Sequence, residues 1–116
     1  MDKFVIPRDK WLRGESAEKS MLLRQDGKMC CIGVYGKHCG YSDVELIEEP
    51  TPSFVIANTR KNLFHKAFSS PGRGIIDTKF VIKLMAVNDS PNISDKYREK
   101  FIRRAFRLIG VEVEFE

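Results

Sequence analysis

The side chains best suited to chemistry gather between positions 30 and 39: Cys30, Cys31, His38 and Cys39, with His65 further along. Thiolates and imidazoles are zinc ligands, but structural zinc sites space their cysteines in C-x₂-C fashion, and here two thiols are adjacent. On a helix Cys31 and His38 stand about two turns apart, too far for one tetrahedral ion, and Cys39 diverges further from Cys31. A cysteine nucleophile needs a base within hydrogen-bond reach; His38 lies too far along the same helix, which leaves only His65, approaching through the fold. No oxyanion hole or orienting acid is evident. These residues are therefore expected to be buried structural cysteines and unremarkable histidines. No catalytic, cofactor-binding or metal-binding residue is assigned, and no cofactor is expected.

Asn88 to Glu99 carries oxygen-bearing side chains at alternate positions and ends on a glutamate, the outline of a calcium loop. It departs where the ion needs it: Asn88 replaces the first aspartate and Ile93 the turn glycine, leaving too little negative charge. A turn followed by a helix cap explains the same residues. The Ser69 to Gly74 stretch, with Arg73 between glycines, lacks the Lys-Ser/Thr pair and strand-to-helix setting of a phosphate loop, and reads as a flexible connection.

The candidate for binding is a basic stripe. On a helix after Ser94, Lys96, Lys100, Arg103, Arg104 and Arg107 fall within an arc of about 100°, beside or opposite an apolar face. Such a face either meets a phosphate backbone or an acidic protein surface, or is a solvated surface whose cations favour the helix C-terminus. Arg98 falls near the apolar face instead, so it must bend out or pair with a carboxylate.

The elements that position these residues are clearest in the last third. Apolar side chains recur at Tyr97, Phe101, Ile102, Ala105, Phe106, Leu108 and Ile109, a face expected to be buried. Asn92 or Ser94 caps the helix and Gly110 stops it. Val111 to Glu116 then alternates apolar and acidic, as a half-buried strand does. Phe4-Val5-Ile6 and Met21-Leu22-Leu23 are further strand candidates, and Trp11 sits in a short helix or turn with a packing role. Lys28 to Cys39 reads as a helix ended by Gly40, with Gly33 and Gly36 inside it where a close neighbour is the expected reason. Residues 41–47 fit one helical turn or a short strand. Glu48 to Pro52 reads as a breaker, with a helix expected around Leu63, Phe64 and Phe68. Thr78 to Val87 fits a helix capped by Asp77 or Thr78, with a strand as rival. The expected fold is α+β, one domain over residues 1–116: a small antiparallel sheet from residues near 3–6, 20–24 and 111–115, covered on one face by helices near 28–39, 78–88 and 94–109.

With 42% apolar and 31% charged residues in 116, the chain has a globular composition and enough length to bury a core without staples. The net charge of +4 biases encounters toward anions without marking a nucleic-acid binder. No run approaches the ~18 apolar residues of a membrane span, and an amino-terminal apolar run of this shortness does not fit a secretory signal. The odd number of cysteines, 3, points to reduced thiols and a cytoplasmic location.

Three segments, Asp26 to Gly33 (DGKMCCIG), Val87 to Asp95 (VNDSPNISD) and Gly110 to Phe115 (GVEVEF), together with Trp11-Leu12-Arg13-Gly14, resemble a loosely defined group of small bacteriophage and prophage proteins. Residues 41–77 carry none of the likeness. The resemblance implies a phage-linked accessory role in the bacterial host cytoplasm and brings no catalytic residue. The expected function is to bind and modulate a host macromolecule, chiefly a protein, defence components included, without catalysis. The alternative is a nucleic-acid-binding module using the basic stripe, and a small enzyme comes third. The stripe's lack of interleaved exposed aromatics weighs against base stacking.

Overall fold

Alternating apolar residues at both ends of the chain make the two strands of the main sheet. In the computed structural model, which describes residues 2–72 and 74–116, β1 (Asp2–Ile6) pairs with β4 (Val111–Phe115), placing Phe4 opposite Val113 and Ile6 opposite Phe115. The apolar members face the core, while Lys3 and Glu114 meet outside at 2.8 Å.

The pair is parallel, which corrects the expected antiparallel arrangement. No hairpin joins these strands; instead α5 (Asp95–Arg107) runs back across the sheet and delivers β4 in the direction of β1, the crossover that parallel pairing requires. The antiparallel pairing present lies elsewhere, between β2 (Ser69–Pro71), which falls within the Ser69 to Gly74 stretch expected to be a loop, and β3 (Ile75–Asp77), which follows it. Arg73 lies outside the described residues. Residues 20–24 do not join the main sheet either. Leu22 N–H donates to the Glu49 carbonyl at 2.9 Å and Leu23 accepts from Glu48 N–H at 2.8 Å, so this segment's backbone groups are already paired.

α5 packs on β4 and α1 (Cys31–Cys39) on β1. The α1 helix begins later than residue 28, because Met29 bridges Trp11 and Cys30 is extended, and it ends on left-handed Gly40. Its glycines mark close approaches: a Cβ on Gly33 would lie 1.7 Å from the Leu22 carbonyl oxygen, and one on Gly36 3.1 Å from Leu46. α2 (Asp43–Leu46) is a single turn closed by a capping box between Ser42 and Glu45. α3 (Pro52–Thr59) starts where a breaker was expected, since proline is well suited to the first helical turn. Leu63 and Phe64 follow it in irregular chain, and only Lys66–Phe68 forms a short 3-10 turn.

α4 (Lys79–Asp89) is capped by Thr78, and α5 by Ser94, whose hydroxyl accepts the Tyr97 N–H at 3.2 Å. Beneath them lies an aromatic cluster in which Phe106 meets Phe4 and Tyr35, each at 5.0 Å between ring centroids, and Phe68 stacks on Phe64 at 5.5 Å. The apolar face of α5 is buried at Ile102, Ala105 and Phe106. It is not buried throughout: Tyr97 is 54% exposed and Leu108 is 83% exposed. No helix among the described residues is long and apolar enough to cross a membrane.

Candidate macromolecule-binding face

Segments remote in sequence converge on one buried amide. The Asn88 carboxamide oxygen accepts the Trp11 indole N–H at 2.9 Å and the Cys31 backbone N–H at 3.2 Å. Its Nδ2 donates to the Leu12 carbonyl at 3.0 Å and to Asp89 Oδ1 at 2.9 Å. Trp11 packs in turn on Phe115, with centroids 4.8 Å apart. Trp11 thus does pack, as expected, but also uses its one polar atom. Asn88 read in the sequence as a poor calcium ligand; apart from Asp89, its side-chain partners lie 57 to 77 residues away, beyond any local pattern.

Burial keeps the thiols of this region inert. Cys30 is pushed up to about 12 and Cys31 well above its ordinary value by desolvation, so neither supplies a thiolate near neutral pH. His38 is occupied elsewhere, at 2.7 Å from Asp2, and His65 Nδ1 accepts the Ala67 N–H at 3.0 Å. Among the described residues no three His, Cys, Asp or Glu side chains gather as a metal site would require.

Arg98 accounts for the cation on the apolar side of α5. It is 3% exposed, and its guanidinium donates to the carbonyls of Val87, Asn88, Ser90 and Ile93 and, at 3.3 Å, to Asp95. Val87 and Asn88 lie in the last turn of α4, Ser90 is its C-cap and Ile93 belongs to the turn before α5, so a side chain of the next helix caps α4 and ties down the turn that follows it. Asp95 is held below the usual carboxylate range chiefly by Arg13, which also lies over the Trp11 ring at 4.5 Å.

The structure divides the basic stripe. Arg103 is half-buried, 3.6 Å from Glu99 and 4.9 Å above the Phe115 ring, and Glu99 is already clasped by Arg8 through two bonds of 2.8 Å. Arg103 and Arg107 border a shallow cleft with Glu112 and Glu114, where the field is mixed. Lys96, Lys100, Arg104 and Arg107 are exposed, and among the described residues none has a carboxylate within 4.0 Å.

No protein-family model, curated protein or solved structure matches this chain. The site must be read from its own geometry.

Arg104 borders an apolar groove between α4 and α5, about 270 Å³, walled by Phe80, Phe101, Ala105 and Leu108 with Lys83 on the opposite rim. Lys83 Nζ lies 5.8 Å from the Phe101 ring. The wheel of α5 runs from Lys100 and Arg104 directly into Tyr97, Leu108 and Phe101. The cations therefore border exposed apolar side chains, a relation that sequence reading missed by expecting Leu108 to be buried.

Proposed function

We propose that this chain is a non-catalytic accessory protein of phage or prophage origin that binds a host protein through the outer face of α5 and the adjoining α4–α5 groove. The observation that carries this reading is the exposed Leu108 beside half-buried Phe101, rimmed by Lys83 and Arg104. An apolar centre with a charged rim is the anatomy of a protein interface, and the sign of the rim selects an acidic partner. A phosphate backbone has no use for the apolar centre.

A second reading, nucleic-acid binding, is favoured by Tyr97, which is exposed on α5 between Lys96 and the Lys100–Arg104 pair and offers a stacking face that the sequence pattern did not suggest. Affinity capture from bacterial lysate, with and without nuclease, separates the two. The protein reading expects a partner, identified by mass spectrometry, that survives nuclease and is lost in both Leu108→Asp and the Lys100→Glu/Arg104→Glu double variant. Capture that vanishes with nuclease, falls log-linearly with salt and ignores Leu108→Asp would replace it with the nucleic-acid reading.

A further inference from the structure

Three charged side chains among the described residues are buried: Asp89, Arg98 and Glu99. Arg98 is paired with Asp95 and Glu99 with Arg8 and Arg103, but Asp89 has no Lys, Arg or His nitrogen within 4.0 Å among the described residues. Nearby Arg98 directs its donors to backbone carbonyls and Asp95, and leaves Asp89 to neutral donors, Asn88 Nδ2 and the Ser20 side chain. A carboxylate that is 9% exposed and has no cation in contact with it is expensive to keep ionised, and burial, opposed only in part by Arg98, pushes its pKa up.

This acid borders a cleft of about 450 Å³, a volume in the range of small-ligand sites. The cleft is open to solvent and mostly apolar, with Ile82, Met85 and Ala86 of α4 along one side and Pro50 and Pro91 closing it. The polar groups bordering it include Asp89 and the hydroxyls of Ser16 and Ser20. An aliphatic chain would lie along these walls with its charged head at the acid. A bound cation would supply the ion pair that the fold omits, and the serine hydroxyls could accept its remaining hydrogens.

We propose that this cleft binds a primary alkylammonium group, whether a free alkylamine or the side chain of a lysine presented by another molecule. The Asn88 network is what fixes the acid in place: Asn88 donates to the Asp89 carboxylate, and Ser16 N–H donates to the Asp89 carbonyl at 3.0 Å, holding the 14–20 segment over the cleft. The site is distinct from the α4–α5 groove and does not depend on the function proposed above.

The test is an NMR titration of isotopically labelled protein with n-butylammonium chloride, with butan-1-ol as the uncharged control and Nα-acetyl-lysine methylamide as the lysine probe. The expected result is saturable shifts at Ser16, Ser20, Asp89 and Ser90 with n-butylammonium, and binding at least about tenfold weaker for butanol. The lysine probe matching n-butylammonium would assign the site to a presented lysine, and its failure beside a positive alkylamine would assign it to free amines. Asp89→Asn should abolish the preference for the cation. Ala86→Phe, at an exposed position on the cleft wall, should block both probes even if Asp89→Asn fails to fold. No saturable shift with either ammonium at millimolar concentration, equal binding of butanol, or full binding by the filled variant would overturn the proposal.

Discussion

Arg98 Nη1 donates to the Asn88 carbonyl at 2.9 Å, and the same oxygen accepts the Gly14 N–H at 3.0 Å. One backbone carbonyl at the end of α4 thereby joins α5 to the segment after Trp11. Gly14 has φ +68°, and a Cβ there would lie 3.2 Å from Arg98 Nη2, so its lack of a side chain suits both the left-handed backbone and the guanidinium beside it.

Replacing Arg98 should therefore damage the fold more than a helix-surface arginine normally would. Arg98→Ala leaves the part-buried carbonyls of Val87, Ser90 and Ile93 without this donor and the Asn88 carbonyl with the Gly14 N–H alone, and should cost about 3 kcal/mol or more. Arg98→Lys should restore little of this, because a single ammonium cannot span carbonyls from Val87 to Ile93 as a planar fork does. Urea unfolding of the two variants checks this; equal stability of Arg98→Lys and the parent would refute the capping role.

Asn88→Ala should likewise lose about 3 kcal/mol or more, since it strands the Trp11 indole N–H, the Cys31 N–H and the Leu12 carbonyl in the interior. Trp11→Phe removes only one donor and should be milder. A double-mutant cycle of the two should give a coupling energy of about 0.5–3 kcal/mol; additive losses would show that the indole bond is incidental.

The glycines of α1 should separate sharply. Gly33→Ala places a methyl against the Leu22 carbonyl, a backbone atom with no rotamer to change, and should destabilise by about 3 kcal/mol. Gly36→Ala meets the side chains of Leu46 and Phe64, which can yield by a few tenths of an ångström, while gaining up to about 1 kcal/mol of helix propensity. Its net change should stay within about 1 kcal/mol. Thermal unfolding ranks them, and a reversed order would contradict the packing described.

Stability should depend on pH through Asp89. An unfolded aspartate titrates near 3.9, and burial raises the folded value, so the native state holds this proton more tightly than the unfolded chain. The associated stability is fully present below about 3.9 and is lost as pH rises through the folded value. Arg98 acts on this acid as a fixed charge, whereas Cys30 and Cys31 remain neutral throughout that window. Relative to Asp89→Asn, the parent should therefore lose stability as pH rises from about 4 toward neutrality. Parallel unfolding midpoints across that range would exclude the effect.

On α5, Phe101→Ala should cost about 2–3 kcal/mol, below the full core value because the ring is half-buried, whereas exposed Lys100→Ala should be near neutral. Equal losses would contradict the assignment of faces.

Local chemistry made some of this legible in advance. Thr78 and Ser94 announce their helices through capping, Gly40 and Gly110 punctuate turns through left-handed backbone, and Gly33 and Gly36 point to close neighbours because nothing else justifies them within a helix. The strand direction was not legible: alternation in Phe4-Val5-Ile6 and Val111 to Phe115 specifies which side chains turn inward and says nothing about relative direction. Proline at 52 was misread because the same ring that breaks a helix interior suits its first turn. The basic residues were readable as a stripe, but their division was not, since it depends on Glu99, Phe115 and Leu108 being brought beside them by tertiary packing. The roles of Asn88 and Asp89 gave no local sign, because beyond their bond to each other their side-chain partners, Trp11, Leu12, Cys31 and Ser20, come from remote segments.

The parallel partnership of β1 with β4 also governs the order of assembly. β4 leaves the ribosome after every other described element, so β1 must wait, with Phe4 and Ile6 uncovered, until nearly all the intervening chain has been made. An unpaired apolar strand held in that condition is a natural place for chaperone capture or for association between nascent chains, and the final closure joins segments at the two extremes of the described sequence.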